Sequence, residues 1–140
     1  MKPMNDAKAF LDTNVLVYLY TEDEPKKQNA AGETLDRHFC VVSTQVLNEV
    51  CNVWLNKWKW NGSKIRQHLD NIETVCDEVI GIQRYTIDKA LALKDLYGYS
   101  YYDCLILASA LESGCEILYT EDMANQQIIE NRLKIINPFG

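Results

Sequence analysis

Apolar residues fall into two rhythms along this chain. Short unbroken runs, as in KAFL, FCVVS, EILYT and KIINP, are separated by longer stretches in which apolar positions return every three or four residues. A run buried on both faces reads as a strand of a parallel sheet, and a three-to-four period reads as a helix with one face inward. Strands are therefore expected over 7–12, 39–43, 116–120 and 134–138, with a short one within CDEVIGI. Between them the chain turns helical from about Asn14 and again at Pro25, which suits a first helical turn. Ser43 or Thr44 caps a helix running to Trp58, in which Val46, Val50, Val53 and Trp54 share a face. Asn61-Gly62 breaks it, and Ser63 caps another helix to about Val75. Thr86 opens a helix ending at Gly98, and Ser100 opens one closed by Gly114. Strands alternating with helices of this length predict an α/β sandwich around a parallel sheet, expected as one domain over residues 1–140.

One polar residue breaks the first rhythm. Asp12 follows AKAFL directly, where an unpaired buried carboxylate would cost several kcal/mol or neutralise. Parallel sheets collect ligands at the carboxyl ends of their strands, and the end of the first strand is such a rim. Three more acids can reach it. Glu49 lies about 9 Å along the helix opened at Ser43, and helical side chains tilt back toward the start. Asp103 stands in the first turn after Ser100, and Asp122 two residues after EILYT, next to Glu121. Each has an ordinary reading: Asp103 as a helix-start residue, Glu49 as a solvated helix position, Asp122 as a turn residue. Their conjunction is what points to chemistry. Clustered carboxylates repel unless a cation neutralises them, and all-oxygen ligands select hard ions, Mg²⁺ or Mn²⁺.

Charge sharpens this. The net charge is −6 with a pI near 4.9, which excludes a nonspecific grip on nucleic acid by overall charge. A phosphate ligand would have to be met by metal ions or a local basic patch. Five cysteines without a C-x-x-C spacing fit reduced thiols, and with two isolated histidines they make no zinc site. No apolar run nears the roughly 20 residues of a membrane span, and MKPMNDAK lacks the pattern of a leader, so a cytoplasmic protein is expected.

The set FLDTNVLVY, VSTQVLNEV, YYDCLILASAL, LYTEDM and INPF, in that order, resembles the motifs of PIN-domain ribonucleases, nearest to the VapC-type toxins of toxin–antitoxin pairs. The resemblance implies a three-layer α/β/α fold with about five parallel strands in the order 3-2-1-4-5. It implies metal-dependent endonucleolytic cleavage of RNA by activated water, an antitoxin partner and a homodimer. By position it places Asp12, Glu49, Asp103 and Asp122 as catalytic metal ligands, with Thr13, Asn14, Thr120 and Glu121 supporting them. The chain departs from the pattern at Gln126, where relatives often carry glycine, which puts the local turn in question.

Two rival readings bear on these residues. Asn14 stands where a dehalogenase-type phosphatase would need its second aspartate, and no G-x-S-x-G, P-loop or G-x-G-x-x-G occurs. A non-catalytic PIN-like module binding RNA or protein would not need all four acids. Finally, Trp54, Lys57, Trp58 and Lys59 interleave rings and cations, which suits stacking on single-stranded RNA. The i, i+4 spacing of Trp54 and Trp58 favours packing against a helix or a partner chain over that role.

Overall fold

A computed structural model of the chain describes residues 7–140; the reading of MKPMND as free of a leader falls outside them. In chain order the elements are β1 (Ala9–Leu11), α1 (Thr13–Leu19), α2 (Pro25–Arg37), β2 (Cys40–Ser43), α3 (Thr44–Asn56) and α4 (Gly62–Val75). They continue with β3 (Glu78–Ile80), α5 (Arg84–Tyr97), α6 (Tyr101–Glu112), β4 (Ile117–Tyr119), β5 (Ile128–Ile129) and β6 (Leu133–Ile136).

The strands form one sheet in the order β3-β2-β1-β4-β6-β5, parallel except for β5. The parallel part is the expected order, and β5 is an addition at its edge. Every residue of β1 and β2 is buried. Successive strand residues point to opposite faces, so both faces of the sheet centre are covered, as three layers require. The α6 segment Cys104–Leu111 is buried throughout, which makes it the central helix of the core. Phe10, Leu11, Leu16, Leu107 and Leu118 are among the largest fully buried side chains of that core. Each such side chain contributes about 1.5–3 kcal/mol by leaving water.

The helix starts correct three details. Asn61, not Ser63, caps α4, its side chain accepting from Lys64 N at 2.9 Å. Thr86 lies at the third position of α5, where its hydroxyl accepts from Gln83 N at 3.1 Å. The helix α3 ends at Asn56, so Trp58 lies beyond it rather than one turn from Trp54 on the same face. Ser43 and Ser100 are the caps expected of them.

Candidate active site

The site begins where β1 stops. Asp12 takes extended backbone angles and caps α1, accepting from Thr13 N at 2.7 Å. Its other oxygen accepts from the fully buried Thr120 hydroxyl at 2.8 Å. The carboxyl stands at the strand end as expected, but it is covered, at 5% exposure. Burial therefore dominates its acidity. It lifts the pKa from 3.8 to about 6, the Thr120 and Thr13 hydrogen bonds oppose this, and the Glu49 and Asp122 carboxylates push it further up.

The neighbouring acids are reached through short polar links. Thr13 donates its hydroxyl to one Glu49 oxygen, and Gln45 Nε2 donates to the other at 3.2 Å. Asn14 Nδ2 donates to Asp122 at 2.9 Å, and Asp122 N donates to the Thr120 hydroxyl at 3.1 Å. Thr120 thus ties the first acid to the last. Asp103 joins through space: burial raises its pKa, a Ser100 hydrogen bond opposes this, and the Asp122 and Glu49 charges raise it again. The helix-start role of this segment is present too, since Asp103 N donates to Ser100 Oγ at 3.1 Å. Asp12 and Asp103 each feel the charges of Glu49 and Asp122.

The supporting residues divide. Thr13, Asn14 and Thr120 touch the acids, as anticipated. Glu121 turns away: it accepts from Tyr18 OH at 3.0 Å and lies 3.6 Å from Lys27 Nζ. Lys27 in turn donates to Tyr18 OH at 3.0 Å. Glu121 therefore anchors the loop that carries Asp122. Sequence reasoning missed Tyr18, Lys27 and Gln45; only Gln45 left a signal, one helical turn before Glu49.

Two grooves open from these residues and share Thr13, Glu49 and Val53. One, of about 630 Å³, runs between α1 and α3 to Lys57 and Trp58, with Asp23, Glu24 and Asp122 on its walls. The other, of about 400 Å³, is lined by Asn48, Asn52 and Tyr102. Trp54 reaches neither. It is fully buried, its ring stacked at 4.9 Å on Trp60 and edge-on to Tyr20, so the expectation of an RNA or partner contact is overturned there. Lys59 is exposed and lies outside both grooves.

The donor set can be tested against a metal ion. Among the described residues, no lysine or arginine pairs with any of the four acids, and no three acids, histidines or cysteines stand close enough to enclose one ion. Asn14 Oδ1 is buried without a partner beside them. Uncompensated carboxylates around a cleft fit Mg²⁺, which keeps several waters and takes one or two carboxylates directly.

The sequence model of the PIN domain family matches residues 9–128. The chain belongs to the PIN-domain family. No curated protein matches. Solved structures share this PIN fold at low identity. A toxin–antitoxin complex from Klebsiella pneumoniae matches with a TM-score of 0.69 and 22% identity over 94% of this chain and 98% of that one. The sarcin–ricin loop cleaving toxin VapC20 of Mycobacterium tuberculosis matches with a TM-score of 0.65 and 17% identity, over 82% and 92%. VapBC2 of Rickettsia felis, bound to a promoter DNA fragment, matches with a TM-score of 0.62 and 17% identity, over 98% and 100%. In this PIN domain Gln126, where the sequence put the local turn in question, has φ 76°. That left-handed conformation suits glycine and costs a side chain about 1–2 kcal/mol.

Proposed function

We propose that this PIN domain is a metal-dependent endoribonuclease, the toxin of a toxin–antitoxin pair. The observation that carries the reading is the convergence of Asp12, Glu49, Asp103 and Asp122 at one strand edge, with no lysine or arginine of the described residues paired to them. One or two of these carboxylates at a time, with water completing the shell, would hold Mg²⁺ or Mn²⁺, which when bound would offset their charge, polarise phosphoryl oxygens and lower the pKa of water.

The chain's own residues do the positioning. Thr120 and Thr13 N fix both oxygens of Asp12, Thr13 and Gln45 fix both oxygens of Glu49, and Asn14 fixes Asp122. Preorganised ligands need no reordering at the moment of reaction. Asn14 Oδ1, a buried acceptor with no partner, can take a hydrogen bond from a water or a 2′-hydroxyl. A metal held by carboxylates activates water, so water is the attacking group in this reading, leaving a 5′-phosphate and a 3′-hydroxyl.

The neighbours' toxin–antitoxin assemblies support an antitoxin partner, and the larger groove suits one. It carries Asp23, Glu24, Glu49 and Asp122 against Lys57 alone, so it favours a basic segment beside the Trp58 ring. A homodimer and a cytoplasmic location belong to the same reading; among the described residues no helix is long and apolar enough to cross a membrane.

The test is cleavage of RNA with Mn²⁺ or Mg²⁺ and with EDTA, followed by end-group analysis. The reading expects EDTA-sensitive cleavage to 5′-phosphate ends. Products bearing 2′,3′-cyclic phosphate, or cleavage that survives EDTA, would overturn it. An inert protein unaffected by Mn²⁺ would be the non-catalytic module instead.

A further inference from the structure

We infer that the smaller groove, between α3 and the start of α6, seats unpaired bases of the RNA strand next to the bond being cut. This rests on the nuclease reading and adds where the substrate lies and what reads it.

The groove meets the acid site at Glu49 and at Thr13, which donates to that carboxylate. Its outer wall is different in kind. Asn48 and Asn52 lie one helical turn apart on α3, both exposed, and Tyr102 stands opposite with 65% of its surface open to solvent. Gln45 sets the distance between the walls: its Nε2 bonds both Glu49 and the backbone carbonyl of Tyr102, each at 3.2 Å. Among the described residues the Tyr102 ring has one aromatic partner, the neighbouring Tyr101 ring at 5.6 Å and 63°.

Charge decides what fits. Apart from Glu49 the lining is neutral, with no lysine or arginine to hold a phosphate and no acid to attract a basic side chain. Primary amides carry both a donor and acceptors in one plane and match base edges. An exposed phenol ring offers a face on which any base stacks. The larger groove is the opposite case: beyond the acid site, an RNA backbone there would run past Asp23 and Glu24 with Lys57 as the one cation of its lining. A strand whose scissile phosphate lies at the acids therefore leaves through the amide groove.

The experiment uses the full chain with Mn²⁺ and a randomised pool of single-stranded RNA, whose products are sequenced around each cut. Affinity is read separately by fluorescence anisotropy of a labelled RNA oligonucleotide, in an Asp12→Asn background that cannot turn it over. The wild type should show a nucleotide preference beside the cut. Asn48→Ala or Asn52→Ala should reduce that preference roughly tenfold, the scale of one amide–base pairing. Tyr102→Ala should weaken affinity roughly tenfold, and Tyr102→Phe should restore it. A wild type that cleaves with no preference, or variants that keep both preference and affinity, would overturn this inference while sparing the nuclease reading. Loss of affinity in Trp58→Ala with Tyr102→Ala unaffected would overturn it too, by moving the strand to the other groove. A wild type that neither cleaves nor binds RNA would remove both.

Discussion

The two grooves beside Glu49 are built on one helix, a step apart around its axis, yet they offer opposite chemistry. Glu49, Val53 and Lys57 face the larger one, whose far wall is acidic and whose floor ends at Trp58. Asn48 and Asn52 face the smaller one, neutral and open to the exposed ring of Tyr102. Glu49 and Val53 line both grooves, so the difference between them comes from what flanks that shared strip: Asn48, Asn52 and Tyr102 on one side, Asp23, Glu24, Lys57 and Asp122 on the other. What the grooves have in common is the acid site between them. An acidic protein can meet a polyanion there only if metal ions reverse the local field, so the site and the grooves stand or fall on the same electrostatics.

The largest effect should come from the shared element. Asp12→Asn should lower RNA cleavage about 10³-fold or more, roughly 4 kcal/mol of barrier, in single-turnover assays. An active Asp12→Asn would break the link between the grooves and the acids. The next prediction separates the tryptophans. Trp54→Ala should cost about 3–5 kcal/mol in urea unfolding, as for any large core ring. Trp58→Ala, half-buried at the groove, should cost well under half of that.

The third concerns pH in metal-free protein. Asp12 in the folded state has a pKa of about 6, above its ordinary 3.8. Folding therefore favours the protonated acid, and its contribution is most favourable below pH 4. It is lost as pH rises toward 6 and stays lost above. The loss is about 3 kcal/mol. Unfolding free energies in EDTA at pH 4 and pH 7 should show this slope in the wild type relative to Asp12→Asn. A flat difference would mean that Asp12 is neutralised by something within the chain. The smallest effect lies away from both grooves. Gln126→Gly should stabilise by about 0.5–1 kcal/mol, since it relieves a left-handed backbone and loses only an exposed side chain.

Much of this architecture was legible in the sequence. Buried runs announced the parallel strands, and Ser43 and Ser100 announced the helices that carry Glu49 and Asp103. The acids could be grouped because parallel topology sends each strand end to one edge. What escaped had no local signature. The bond from Gln45 to the Tyr102 carbonyl spans two helices far apart in the chain, and the Tyr18–Lys27–Glu121 link joins three separate segments. The edge strand β5 was missed because its hairpin turns on Glu130 and Asn131, both at positive φ, where the usual turn signal is Asn-Gly. Thr86 misled by three residues because a hydroxyl inside the first turn of α5 satisfies the same helix end that a cap would.

The central claim is that four carboxylates repel one another until a metal ion joins them, and Asp103→Asn tests it most directly. The change deletes a charge and leaves the Asp103 N–H bond to Ser100 in place. Thermal melts of both proteins with EDTA and with Mn²⁺ give the answer. The variant should be more stable than wild type in EDTA, because the amide needs no charge beside Glu49 and Asp122. With Mn²⁺ that order should shrink or invert, because wild type gains RT ln(1 + [L]/Kd), about 2.7 kcal/mol at 100 times Kd, and the variant has lost a ligand. A variant less stable than wild type in EDTA, indifferent to Mn²⁺ and still cleaving RNA would contradict the account.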